Sequence, residues 1–236
     1  MAAKKAAKLA VKSAKGEQAR QNLKKAALVV LERVGYHKMR IADVTAEAGV
    51  AAGLFYHYFS DLKSLTQEVL TDFVGTLKNL EAIEKDVPKG DWYGRIYAHN
   101  VFVVKSYAEH PGVMRCMFQL ADEDEAFSAL IRSTFIEQLN WLVNLMPRLF
   151  PDAALGNHQA FMVVYTLAST GEGVLRDYYI NNDASLHAEN MSVEDIAELL
   201  SVIFYRGLFL QHPPLEKLRY TKNLQNMVRV NSATQM

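Results

Sequence analysis

The sequence has one cysteine, Cys116, in 236 residues. A single thiol excludes an intramolecular disulfide and argues against a cysteine-based structural zinc site, which fits a reducing, cytoplasmic setting. No apolar run approaches the roughly 18 residues of a membrane span, so no membrane partner is expected. The positive N-terminus lacks a following apolar core, because Lys8 interrupts Ala6–Ala10, so it does not read as a signal peptide. There is no Walker loop, no Gly-x-Ser-x-Gly and no His-Glu-x-x-His. Gly171-Glu172-Gly173 lacks the third glycine of a dinucleotide fingerprint, and His99, His110 and Cys116 fit no common metal spacing. No catalytic residue, metal ligand or cofactor is therefore expected. Strand-period alternation and internal repeats are also missing. Net charge is zero, so bulk composition does not announce a polyanionic partner.

What is present is unevenly spread. Residues 1–25 carry eight basic side chains (Lys4, Lys5, Lys8, Lys12, Lys15, Arg20, Lys24, Lys25) against Glu17 alone, which leaves the rest acidic. A basic end on an acidic body suits a chain that meets a polyanion, although a solubilising tail has the same composition. Residues 1–15 are expected to form a flexible arm, able to become helical on a charged partner. Residues 16–87 then read as a DNA-binding domain, 88–212 as a helical regulatory and dimerisation domain, and 213–236 as a loosely held polar tail.

Helical periodicity runs through both domains, giving an all-α fold. Leu23, Ala26, Ala27, Val30 and Leu31 mark a helix over 16–34, ended by Gly35. Val44, Thr45 and Ala48 form the inner face of a short helix, Gly49 permits a sharp turn, and Val50, Phe55, Tyr58 and Phe59 supply the apolar side of a second. Two helices packed in this way read as a helix-turn-helix, whose second helix enters the major groove. A longer helix is expected over 61–84, capped by Asp61 and carrying the signal from reader to body. Further helices are expected over 91–109, 111–118, 122–150 and 157–180. Ser192 opens the last with a capping box. The acidic run Asp122–Glu125 reads as a solvated helix start.

The patterns Leu23-x-x-Ala26-Ala27-x-x-x-Leu31-x-x-x-Gly35-Tyr36, Val44-x-x-x-Ala48-Gly49-Val50 and Gly53-x-Phe55-Tyr56-His57-Tyr58-Phe59-x-x-Leu62 closely resemble the DNA-binding domain of the tetracycline-repressor (TetR) family. The resemblance spans residues 17–75. It implies a homodimeric regulator, usually a repressor released from operator DNA by a small molecule. The family's last two long helices, here 157–180 and 192–210, usually pair across the dimer. The chain departs from the pattern at Met39, Ala51 and Leu54, where hydroxyl residues are common. Expected DNA contacts therefore fall on Arg40, Ala51, Ala52, Gly53, Leu54, Tyr56, His57 and Lys63. Ala52 or Leu54 would touch a thymine methyl, Gly53 would allow close approach of helix to DNA, and Arg40, Tyr56, His57 and Lys63 would contact phosphates or base edges, whereas Ala51 has no side-chain donor to offer.

For the effector, isolated polar groups in aromatic stripes suggest Tyr97, Asn100, Phe118, Gln138, Trp141, Tyr165, Glu172 and Arg176. A largely apolar small molecule would suit them, although the same side chains could be ordinary core. The rival reading is a helical DNA-binding or architectural protein with no effector.

Overall fold

The computed structural model describes residues 2–77 and 80–227, with the side chains of 2–14, 80 and 81 left out. Among the described residues every regular element is helical: α1 (Ala2–Val34), α2 (Ile41–Glu47), α3 (Ala52–Tyr58), α4 (Leu62–Thr76), α5 (Leu80–Glu84), α6 (Trp92–Glu109), α7 (Pro111–Glu123), α8 (Glu125–Leu149), α9 (Asn157–Leu175) and α10 (Val193–Phe209), with short 3-10 turns between some of them. None of these helices is long and apolar enough to cross a membrane. The chain divides into two compact units, residues 1–78 with 110–134, and residues 79–109 with 135–236.

The first unit is built on α1. Leu23, Ala27, Val30 and Leu31 are fully buried, as their three- and four-residue spacing requires, with Val44 of α2, Phe55 of α3 and Leu65 and Leu70 of α4. Gly35 ends α1 at φ 78°, and its N–H donates to the Leu31 carbonyl at 2.9 Å. Gly49 turns between α2 and α3 at φ 66°, which a side-chain-bearing residue adopts poorly. The backbone of the basic arm continues α1 back to Ala2, where abundant Ala and Lys favour helix. The arm's side chains before Lys15 lie outside the described residues.

α7 also belongs to this unit. The Glu32 carboxylate accepts from the N–H groups of Gly112 and Val113, both at 2.9 Å, and so caps α7 from α1. The backbones approach so closely there that a Cβ on Gly112 would lie 2.4 Å from the Glu32 carbonyl oxygen.

The second unit packs α6 on α10, where Asn100 Nδ2 donates to Ser201 Oγ at 2.9 Å. Leu139, Leu142, Val143 and Met146 of α8 form its main core with Ala160 and Val164 of α9 and Leu208 of α10. Ser192 caps α10 as expected: its Oγ accepts from Asp195 N at 3.1 Å.

Three expectations are overturned. The helix expected over 61–84 closes early: α4 ends at Thr76 with Leu77 as its C-cap, and α5 runs Leu80–Glu84 among the described residues. Gly75 and Thr76 are poor helix formers at that end. The acidic run is not a uniformly solvated helix start: Asp124 separates α7 from α8, its side chain is only 14% exposed, and it is paired with Lys63. Over its described residues, 213–227, the tail is not loosely held either; the rest of it lies outside the described residues. Leu218 is buried against Tyr93 and Val202. Glu198 of α10, itself buried, accepts from Arg219 N at 2.9 and 3.0 Å and from Thr221 N and Thr221 Oγ1 at 2.7 Å.

Candidate functional site

α3 is a seven-residue helix with two unlike faces. Phe55 is fully buried and Phe59, just beyond the helix, nearly so; these two rings fasten it to the unit. On the other side Ala51, Ala52, Gly53, Tyr56 and His57 are all exposed. Tyr56 is 64% exposed, an unusual position for a large aromatic side chain, and does not pack away under a neighbouring helix. A Cβ on Gly53 would meet nothing within 4 Å, so no contact inside the chain demands glycine there. A bare backbone patch beside Tyr56 and His57 fits close approach by an external surface. Leu54 is half-buried, whereas Ala52 is exposed.

The flanking contacts are mixed. Arg40 is exposed ahead of α2, where its backbone N–H donates to Asp43 Oδ2 at 3.0 Å. Met39 is buried core. Lys63, in the first turn of α4, is half-exposed with its Nζ 2.9 Å from Asp124 Oδ2. Two basic residues of α1 are turned inward: Arg20 pairs with Glu68, and Lys24 with Asp72.

The proposed effector residues are divided between the two units. Phe118 lies in the first unit, half-buried on α7, and the others lie in the second. Tyr97 stacks on Tyr93 with ring centroids 6.2 Å apart, and Asn100 is engaged by Ser201. Trp141 is 38% exposed, 6.4 Å from the Trp92 ring, with the Arg95 guanidinium 5.8 Å from its own centroid. Gln138 lies one turn earlier on α8, half-buried. Tyr165 packs edge-on against Phe135 at 5.6 Å. Glu172 is half-buried on α9; burial raises its carboxyl above the usual range, partly offset by the charge of Arg176.

Sequence reasoning missed three polar atoms on α6. Tyr93 Oη, Arg95 Nε and Tyr107 Oη are buried with no hydrogen-bond partner among the described residues. An unsatisfied buried group costs about 1–3 kcal/mol. Tyr107 is 2% exposed, and its hydroxyl pKa is raised by burial and then by the charge of Glu172. Directly after α9 the chain forms a π-turn over Arg176–Ile180 that contacts α6. Such turns are frequent at functional sites. Tyr107 therefore lies close enough to Glu172 and Arg176 for their charges to act on its hydroxyl. Only its place in the stripe of Asn100 and Val104 hinted at this.

The family model described as "Bacterial regulatory proteins, tetR family" matches residues 23–69, the span from the α1 core to the middle of α4. The chain is 35% identical over 77 residues to the HTH-type transcriptional regulator BetI of Vibrio atlanticus, a stretch covering 32% of this chain and 38% of that protein. It thus spans well under half the length of the curated relatives it matches. Among solved structures, one assigned as a TetR-family regulator of Mesorhizobium loti superposes with a TM-score of 0.62 at 12% identity, covering 84% of this chain and 98% of that one. The regulator FadR of Bacillus subtilis, in complex with stearoyl-CoA, superposes with a TM-score of 0.58 at 16% identity over 81% and 99% of the two chains. Over residues 23–69 the chain thus resembles the tetR family, and the fold it shares with those structures extends well beyond that stretch.

Proposed function

We propose that the protein is a homodimeric transcriptional regulator that binds operator DNA through α3 and is released by a small, largely apolar effector held in its second unit. The carrying observation is the two-faced α3: buried Phe55 and Phe59 behind, exposed Ala52, Gly53, Tyr56 and His57 in front. Tyr56 and His57 would donate to phosphates or base edges, with Arg40 and Lys63 beside them. Dimerisation through α9 and α10 is supported by apolar side chains left exposed there, among them Met162, Val174 and Ile203. The effector reading is supported by the unsatisfied polar atoms on α6 within an aromatic, apolar unit. A largely apolar ligand also suits the likeness to a fold whose FadR example holds an acyl-CoA.

The mechanism is a shift between populations. Two recognition helices of a dimer fit half-sites about 34–36 Å apart, so a conformation with another spacing loses affinity. An effector shifts that equilibrium only by its differential affinity for the two states.

Selection of bound duplexes from a random-sequence pool by the purified protein tests this reading. An enriched inverted repeat with half-sites one helical turn apart is expected. Enrichment of a single asymmetric site, or of none, would defeat it.

A further inference from the structure

The pairing of Lys63 bears on how tightly the reader holds DNA. Its ammonium lies 2.9 Å from Oδ2 of Asp124. Gln67 Nε2 donates to the same oxygen at 2.9 Å, and Oδ1 accepts from Phe127 N at 2.9 Å, capping α8. The carboxylate is thus fixed by three donors in a site 14% exposed, while the lysine, 52% exposed, reaches to it from solvent. The hydrogen bond from Lys63, then that from Phe127, holds the Asp124 carboxyl below its usual range, so it is ionised at neutral pH. One residue earlier, Glu123 Oε1 lies 3.4 Å from His37 Nε2. Two acids at the α7–α8 corner therefore face two basic groups of the reader.

We propose that Asp124 is a positioning residue that draws Lys63 away from phosphate and sets the reader's affinity for DNA. The inference rests on the reading of α3 and the start of α4 as a DNA-contact surface. A duplex must displace the carboxylate before it gains the ammonium, and the carboxylate's own charge repels phosphate. Both effects act in one direction, so Asp124 lowers affinity. Asp124 is also the residue between α7 and α8, with φ −134° and ψ 107°. A rearrangement of the first turn of α8 would move it and free Lys63. The contact thus provides an adjustable restraint on binding.

The test is Asp124→Asn in the full chain. Asparagine caps helices as well as aspartate, so the variant keeps the Phe127 contact and folds. Binding is titrated with a mixed-sequence duplex of about 30 base pairs across salt concentrations, which needs no knowledge of the operator. Freeing one lysine for one phosphate steepens the slope of log K against log salt by about 0.9 and tightens binding roughly five-fold at about 0.15 M salt. A change in fold alone would not steepen the slope. Unchanged affinity and slope would overturn the proposal. Weaker binding would do so too, because Asp124 would then be presenting Lys63 to DNA. In a Lys63→Ala background the gain should largely vanish; a full gain there would show that Asp124 acts by its charge alone, against the proposal. A wild-type protein that binds no duplex even at low salt would defeat the DNA-binding reading itself.

Discussion

Glu198→Gln isolates the contact that holds the C-terminal segment. In the native protein one carboxylate takes three donors, Arg219 N, Thr221 N and Thr221 Oγ1, at 2.7–3.0 Å. Glutamine preserves shape but turns one oxygen into an amide that confronts the Arg219 N–H, and it removes the charge from the remaining bonds. Hydrogen bonds to charged groups contribute about 1.5–3 kcal/mol each, so losing one and weakening two should favour local opening of the segment by about 2–4 kcal/mol. Hydrogen exchange is the assay, because opening of this segment need not unfold the chain. The Arg219 and Thr221 amides should exchange roughly 30- to 1,000-fold faster in the variant, since about 1.4 kcal/mol is a factor of ten. Exchange at wild-type rates would show that burial of Leu218 alone docks the segment. pH gives a second handle. Burial pushes the Glu198 carboxyl up, but the hydrogen bonds from Thr221 and Arg219 outweigh it and leave the group below its ordinary value. A carboxyl depressed in the folded state stabilises above the unfolded pKa of about 4.3, and that contribution fades as pH falls through the folded value. Protection at Thr221 should therefore be constant near neutrality and fall in acid, below about pH 4.

Two further outcomes follow from the same geometry. Gly112→Ala places a Cβ 2.4 Å from the Glu32 carbonyl oxygen, where backbone faces backbone, and should destabilise the first unit by about 1–3 kcal/mol in a denaturant titration; an unchanged midpoint would refute the close α1–α7 joint. Deleting residues 2–15 removes five lysines and should flatten the salt dependence of duplex binding, and an identical slope would make the arm a tail without DNA contact.

The reader was legible because its signals are local. Gly35 and Gly49 sit where positive φ is needed, and Phe55 and Phe59 recur at helical spacing, so the turn and the buried side of α3 follow from near neighbours. Helix existence was legible for the same reason, and Ser192 announced its cap. What could not be read were contacts whose partner is a backbone group or lies far along the chain. Glu198 looks like any acid on a helix, because its partners are N–H groups 21 and 23 residues later, and every residue type but proline carries an N–H. Asp124 looked solvated because Lys63 is 61 positions away. The joining of α7 to α1 depends on Gly112 meeting Glu32 across 80 residues. Tyr107 read as core, since an apolar stripe does not reveal that one hydroxyl in it has no partner.

The account turns on the exposed face of α3. The direct test is a gel-shift titration of the selected duplex with wild type, Tyr56→Ala and His57→Ala. Both side chains point to solvent, so neither change should alter the melting temperature appreciably. Loss of one phosphate or base contact should weaken binding by about 1–3 kcal/mol, roughly five- to 150-fold, in each variant. Wild-type affinity in both variants would contradict the claim that this face reads DNA.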